Sequence, residues 1–291
     1  MKKSLIKTLA LSLIAASVFS VTTGKSAEAD DVFGKLGKRD SYNKSMAMVR
    51  YAKTLVDKSY YQMPDPVKID SHWCAAFTKF LCGITDQYCD YNSVTYFHDL
   101  YEAQGLYHTK DSGYIPGIGD LIIYEEDDNT GNGYEHIGIV VNTKYRNGEY
   151  YPETIEGNYF DIPMNDEDLQ KITAEQYRDF SNSDEYKYDM RRVGYVPSNR
   201  VRRHMVAGYI EMDRKSIDYI YGDVNGDGNI NMLDAFMILK ARLQMDCDGG
   251  VLKQSLAPGL STAEFYYRMD ANGDGKVTQT DATAILRYLV R

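Results

Sequence analysis

Cysteine is scarce in this sequence, which excludes a fold held together by a disulfide framework. The chain has four cysteines in 291 residues, too few to staple a domain in the way that small secreted scaffolds are stapled. Cys82 and Cys89 are close enough in sequence to pair, and their pairing would leave Cys74 as a free thiol. Cys247 has no evident partner. The fold must therefore depend on a hydrophobic core, while a thiol nucleophile remains available.

Excess basic charge and long apolar runs are also lacking. The formal net charge of −9 disfavours nucleic acids and anionic surfaces as partners. The one basic cluster either meets an anionic substrate or, as we favour, consists of outward-facing residues on strands; it comprises Arg191, Arg192, Arg200, Arg202 and Arg203. The only long apolar run, residues 9–21, is too short to cross a bilayer comfortably. We therefore predict no transmembrane segment.

The start of the chain has the pattern of a secretory signal peptide. Lys2, Lys3 and Lys7 precede the apolar run, and a small-x-small cleavage site ends at Ala29. We predict a signal peptide over residues 1–29 and a secreted, extracellular protein after cleavage.

The last third of the chain carries the same loop pattern twice. Asp, Asn and Asp stand at positions 1, 3 and 5, with Gly at position 6 and Asp at position 12. Calcium takes six to eight oxygen ligands, which a 12-residue loop supplies from positions 1, 3, 5, 7, 9 and 12. The predicted ligands of two calcium ions are Asp223, Asn225, Asp227, Asn229, Asn231 and Asp234 in the first loop, and Asp270, Asn272, Asp274, Lys276, Thr278 and Asp281 in the second. Position 7, Asn229 or Lys276, contributes its backbone carbonyl.

The surroundings of these loops differ from those of an EF-hand. Position 12 is Asp instead of Glu, helices are predicted after both loops, and residues 217–221 before the first loop read as extended chain. A loop followed by a helix, duplicated over residues 221–291, resembles a type I dockerin. The resemblance implies a small all-α domain that docks onto a cohesin module of a scaffoldin in a cellulosome-like assembly. The alternative is a calcium-stabilised module without a partner.

The resemblance also implies where a cohesin would bind. Cohesins recognise dockerins near loop positions 10 and 11 and along the following helix. The corresponding residues are Met232, Leu233 and Lys240 in the first copy, and Gln279, Thr280 and Arg287 in the second. Because the copies differ at each of these positions, we hypothesise one preferred binding orientation.

Three upstream segments combine the residue types of a cysteine hydrolase. Residues 71–80 predict a buried helix with Cys74 at its N-terminus, where the helix dipole and free amides stabilise a thiolate. A strand follows Gly119-Asp120, a second begins at His136, and a third covers residues 154–159. A thiol needs a nearby imidazole, and the imidazole needs an acceptor that fixes its tautomer. Either Glu156 or Asn158 can orient His136, and the other can polarise a substrate carbonyl.

The ordered motifs Trp-Cys-Ala-x-Phe, Gly-Asp, His-x-Gly-Ile-Val and Glu-x-Asn resemble the CHAP family of cysteine, histidine-dependent amidohydrolases and peptidases. The resemblance covers about residues 41–213 and implies a papain-like α+β fold, with an antiparallel sheet packed on helices. It also implies that Cys74 is the nucleophile and His136 the general base and then acid. Glu156 would orient His136, and Asn158 would assist His136 or the oxyanion.

These patterns predict a secreted α+β enzyme with two domains. We expect a CHAP amidase or peptidase domain over residues 40–213, a linker over 214–220 and a dockerin over 221–291. The polar segment 161–200 is a candidate substrate-selecting lid. The CHAP resemblance implies hydrolysis of peptidoglycan amide bonds. The alternatives are a cysteine peptidase acting on plant cell-wall or cellulosomal proteins, and a non-catalytic wall-binding cargo.

Overall fold

The computed structural model describes most of the chain after the predicted signal peptide. The described residues are 35–69, 73–85, 92–125, 134–183, 191–248, 250–252, 256–257 and 259–291. The signal peptide and Cys89, the possible partner of Cys82, lie outside them. None of the helices in these ranges combines the length and the apolar character that crossing a bilayer requires.

Strands and helices alternate irregularly along the chain. In order, they are β1 (Arg39–Asn43), α1 (Lys44–Leu55), α2 (Cys74–Gly83), α3 (Val94–Glu102), β2 (Tyr107–Thr109), β3 (Leu121–Glu125), β4 (Tyr134–Arg146), β5 (Glu149–Tyr159), α4 (Asp166–Leu169), α5 (Ala174–Asn182), β6 (Arg192–Val196), β7 (Val206–Ile210), β8 (Ser216–Ile220), α6 (Met232–Cys247), α7 (Thr262–Arg268) and α8 (Gln279–Leu289). The mixed α+β class is confirmed, and the C-terminal region is helical as expected.

A six-stranded antiparallel sheet forms the centre of the fold, in the order β2-β7-β3-β4-β5-β6. Its central strands are apolar on both faces, because successive side chains of a strand point to opposite sides and both sides are covered. Ile123, Ile137 and Ile155 belong to the larger core, which also contains residues of α1, α2 and α3. Ile122 and Val140 belong to a second core.

The second core involves the segment considered as a lid. Residues 160–177 contribute Phe160, Ile162, Leu169, Ile172 and Tyr177 to it. These apolar side chains are spaced through an otherwise polar stretch, and their burial fixes the stretch to the sheet. Part of the described stretch of residues 161–200 is therefore packed against a face of the sheet, and its role as a substrate-selecting lid stays a prediction.

The expected linker, residues 214–220, contains strand β8. This strand pairs antiparallel with β1, with Arg39 opposite Ile220 and Asn43 opposite Ser216. Ile217, Tyr219 and Ile220 favour extended structure, and β1 supplies the hydrogen-bonding edge. A two-stranded ribbon thus joins the two predicted domains, whose boundaries stay a prediction.

The C-terminal region shares the larger core with the rest of the chain. Helix α7 packs against β1 and α1: the ring of Tyr267 stacks on that of Tyr42 of β1 with centroids 4.4 Å apart. Tyr266 meets Tyr51 edge to face at 5.4 Å. Burial of aromatic rings is a major source of stability. The two regions are therefore packed together and are not merely tethered.

Candidate functional site

Helix α2 begins at Cys74, as the sequence predicts. Trp73 is the N-cap and makes no side-chain capping hydrogen bond, so the first-turn amides remain available to a ligand. The dipole at this end favours a negative charge. The Cys74 Sγ lies 3.8 Å from the carbonyl oxygen of Glu135, which places the thiol against the start of β4.

Strands β4 and β5 bring His136 and Glu156 together. The His136 Nε2 lies 2.9 Å from the Glu156 Oε2, and both residues are buried. The Cys74 thiol is near enough to raise the pKa of His136. The structure thus brings three of the four predicted catalytic residues together, with the Cys74 thiol against the start of β4 and His136 hydrogen-bonded to Glu156.

The Glu156 carboxylate has two further donors that sequence analysis missed. The Tyr124 hydroxyl and the Thr154 hydroxyl each donate to Oε1 at 2.7 Å. Tyr124 stands opposite His136 in the β3–β4 register, and Thr154 is two residues before Glu156 on β5. Strand alternation therefore carried a signal for Thr154, whereas Tyr124 required knowledge of the strand pairing.

The electrostatics favour an ionised pair at this site. Burial alone would raise the pKa of Glu156, but the hydrogen bond and charge of His136, with Arg202 and Tyr124, lower it to about 2. Burial disfavours a charged His136, yet its interactions with Cys74 and Glu156 raise its pKa well above the ordinary value. Such an imidazole can accept a thiol proton and hold it, which is the activation that nucleophilic catalysis requires.

Two glycines create the space for this arrangement. A Cβ on Gly138 would lie 2.7 Å from the Glu156 Cγ, and one on Gly157 would lie 2.5 Å from the Phe77 Cβ of α2. Both distances are far shorter than a van der Waals contact. The glycine of the His-x-Gly motif therefore admits Glu156, while Gly157 admits the helix that carries Cys74.

Asn158 lies at the irregular end of β5. Its backbone is left-handed, with φ +59°, and the β5–β6 register shifts between Glu156 and Tyr159. Its Oδ1 accepts a hydrogen bond from the Arg191 Nη1 at 3.1 Å. The role of Asn158 in assisting His136 or the oxyanion stays a prediction.

The basic cluster agrees only in part with the outward-facing arrangement that we favoured, since Arg192 and Arg203 are exposed and the other three are not. Arg191 and Arg202 are buried, and Arg200 binds the carboxylates of Asp161 and Asp166. Arg191 and Arg202 are buried because aromatic rings and polar side chains from segments distant in sequence surround them.

The Gly-Asp motif has a structural explanation. Asp120 is buried, and its Oδ2 accepts hydrogen bonds from the Tyr114 hydroxyl and the Gly117 amide, both at 2.7 Å. The same carboxylate pairs with Arg214. The motif thus fixes the start of β3 to the chain that leaves β7.

In the C-terminal region, both predicted calcium loops curl around their acidic side chains. Asp223 and Asp270, at position 1, accept the amides of Gly228 and Gly275 at 3.0 Å. Each of these glycines has φ +87°, as the turn at position 6 requires. Helices α6 and α8 follow the loops, as predicted.

The carboxylates of the loops fit a cation. The Oδ1 of Asp270 is buried and has no hydrogen-bond partner within the described residues. Burial raises the pKa of Asp234 and Asp270, and it raises that of Asp281 to about 6 despite backbone N–H donors. Carboxylates that are buried with too little positive charge are stabilised by a bound cation. The individual ligands stay predictions.

Comparison with known families identifies this region. Residues 221–290 match the family model of the dockerin type I domain. Type I dockerin domains bind calcium, which confirms the predicted cofactor. A dockerin implies cellulosome-type attachment to a cohesin, and dockerin proteins are typically extracellular. No CHAP match accompanies it, so that resemblance stays a prediction. Searches of curated proteins and of solved structures gave no match.

Replacing Gly138 with alanine should displace Glu156. Because the new methyl group overlaps the Glu156 Cγ, we expect a stability loss of about 1–3 kcal/mol and at least a roughly tenfold slower alkylation of Cys74 by iodoacetamide. Mass spectrometry of the Cys74 peptide measures the rate. Gly83→Ala is the matched control, since nothing lies within 4 Å of its Cβ position. Equal alkylation rates in both variants would contradict this account.

Calcium should stabilise the whole chain and not only its C-terminal region. The Arg50 Nη1 of α1 lies 2.7 Å from the Asp270 Oδ2 and its guanidinium lies over the Tyr267 ring at 4.0 Å. Fluorescence of Trp73, the only tryptophan, reports on the N-terminal region, outside the calcium loops. Its thermal midpoint should fall when calcium is chelated. An unchanged Trp73 midpoint at neutral pH would show that the regions are uncoupled.

The effect of calcium should also grow with pH. Because the pKa of Asp281 is raised from 3.8 to about 6, the calcium-free fold loses stability as this carboxyl ionises. Bound calcium favours the ionised form, so the midpoint difference should widen between about pH 4 and pH 7. Asp281→Asn should reduce this dependence. Asp246→Asn, at an exposed carboxylate of α6 that pairs with Arg242, should preserve it.

Proposed function

We propose that the N-terminal region is a secreted cysteine hydrolase of amide bonds, held on a scaffoldin by its dockerin. The observation that carries this proposal is the buried pair of His136 and Glu156, 2.9 Å apart, next to the Cys74 thiol, which lies 3.8 Å from the carbonyl oxygen of Glu135. A thiol placed between a helix N-terminus and a carboxylate-oriented imidazole has the requirements of a nucleophile. The CHAP resemblance supports the same roles.

The proposed reaction is acyl transfer. His136 takes the Cys74 proton, and the thiolate attacks the carbonyl carbon of the substrate amide. The amide group of Cys74 at the start of α2 donates to the oxyanion. Collapse of the tetrahedral intermediate breaks the C–N bond, and His136 passes its proton to the leaving amine. His136 then deprotonates a water, whose attack on the thioester releases the acid and restores Cys74.

We propose peptidoglycan as the substrate, either at the bond between muramic acid and L-alanine or within the peptides. Its support is the CHAP resemblance. A dockerin is also compatible with a peptidase that acts on plant cell-wall or cellulosomal proteins, because the dockerin fixes the location and not the bond that is cut. A non-catalytic wall-binding cargo is the remaining alternative.

Cys74→Ala should abolish amine release from purified peptidoglycan, by about a thousandfold or more, since the nucleophile is lost. Product masses would identify the bond. Cys82→Ala is the matched control, because it removes a second buried cysteine of the same helix. Activity that survives Cys74→Ala would contradict the proposed nucleophile. If the wild type releases no amine but Cys74 is still alkylated rapidly, the result would favour the peptidase alternative. If the wild type releases no amine and Cys74 is not alkylated either, the result would favour the non-catalytic alternative.

We further propose that the cohesin binds the first dockerin copy preferentially. Met232 and Leu233 are 71% and 48% exposed, and Phe236 and Leu243 extend the same apolar surface along α6. A contiguous exposed apolar surface is typical of an interaction site. At the corresponding loop positions the second copy presents Gln279 and Thr280, which are polar and exposed.

Alanine at both Met232 and Leu233 should therefore weaken binding to a purified cohesin by about 2 kcal/mol or more, as hot-spot truncations do. Alanine at both Gln279 and Thr280 should have a smaller effect. Calorimetry in calcium-containing buffer measures both. Equal losses in the two double variants would rule out a preferred orientation.

A further inference from the structure

A cluster centred on Arg202 lies next to the candidate active site and shares Tyr124 with it. Arg202 belongs to the segment between β6 and β7, and it is only 4% exposed. Its Nε has no hydrogen-bond partner within the described part of the chain. A buried guanidinium is costly unless opposite charge or aromatic faces compensate it, so its position requires an explanation.

Two tyrosine rings lie against this guanidinium. Its carbon lies 4.3 Å from the ring centroid of Tyr177 and 5.1 Å from that of Tyr124. Tyr124 is shared between two partners, because its ring faces Arg202 while its hydroxyl donates to Glu156 at 2.7 Å. Arg202 and Glu156 also attract each other directly.

The groups that face Glu156 come from several elements. Tyr124 is on β3, His136 on β4, Thr154 and Tyr159 on β5, and Tyr177 on α5 beside Arg202; Cys74 acts through His136. Of those that act most strongly on Glu156, Arg202 is the permanent cation, because a guanidinium keeps its proton whereas an imidazole exchanges it.

We propose that Arg202 is a positioning residue that keeps Glu156 ionised while His136 gains and loses its proton. This inference rests on the proposed hydrolase function. Whenever His136 is neutral, Glu156 would otherwise be a buried carboxylate without a cation, and burial would favour its protonation. A protonated Glu156 loses the attraction for the imidazolium and hence the support for the Cys74 thiolate. The lowered pKa of Glu156 is consistent with this role.

Alkylation of Cys74 by iodoacetamide as a function of pH tests this role. The full chain carries Cys247→Ser, since Cys247 is an exposed thiol, and mass spectrometry follows the Cys74 peptide. Arg202→Met and Arg202→Gln remove the charge, and Arg202→Lys retains it. Arg203→Met is the matched control, because this neighbour lies over Tyr151 and pairs with Glu149.

In the two neutral variants, the acidic limb of the profile should move to higher pH by about one unit or more, the size of shift that a charge at this range produces. Arg202→Lys should restore most of the wild-type profile, and Arg203→Met should leave it unchanged. If Arg202→Met and Arg202→Gln fold and their acidic limb stays at the wild-type pH, the proposal is overturned. The finding that only Arg202→Lys folds would overturn it as well, since Arg202 would then be a structural brace. A wild-type Cys74 no more reactive than an ordinary cysteine would instead refute the hydrolase function itself.

Discussion

A buried, ionised carboxylate is the constraint around which the N-terminal region is arranged. Glu156 needs donors and positive charge in place of water. His136, Tyr124 and Thr154 supply the hydrogen bonds, and Arg202 supplies charge from the second core. Gly138 leaves room for the side chain. The face of the sheet that carries the second core is therefore arranged around one residue, because Glu156 without these donors and this charge would be an unmatched charge in the interior.

Side chains that each contact two neighbours also link the dockerin to the rest of the chain. Arg50 of α1 contacts both an aromatic ring of α7 and the first carboxylate of the second calcium loop. Tyr42 serves two neighbours as well, since it stacks on Tyr267 and donates its hydroxyl to Glu264. The second calcium loop is consequently part of the packing around α1. The contacts of Arg50 with Asp270 and Tyr267 therefore belong both to the predicted metal site and to the core of the N-terminal region.

The sequence was sufficient wherever the chemistry is local. The calcium loops repeat fixed residue types at fixed spacing, so calcium binding could be predicted together with the helices that follow. The helix start at Cys74 and the strands of His136 and Glu156 were also legible from short patterns. Long-range pairing was not. Strand β8 was assigned to a linker because its partner, β1, is far away in sequence, and the arginines at 191 and 202 were placed outside because their partners come from separate segments. The apolar residues of 160–177 were too widely spaced to mark a buried segment.

The packing of α7 against α1, together with the ribbon of β1 and β8, bears on how this protein would search for its substrate. An enzyme on a flexible tether sweeps a volume set by the length of its tether. Here the candidate site and the dockerin are packed together, so on the proposed function they would move as one unit. On the proposed function, the orientation of Cys74 relative to an insoluble substrate would then be set by the scaffoldin, and the linkers of the scaffoldin would supply the flexibility that the chain itself does not.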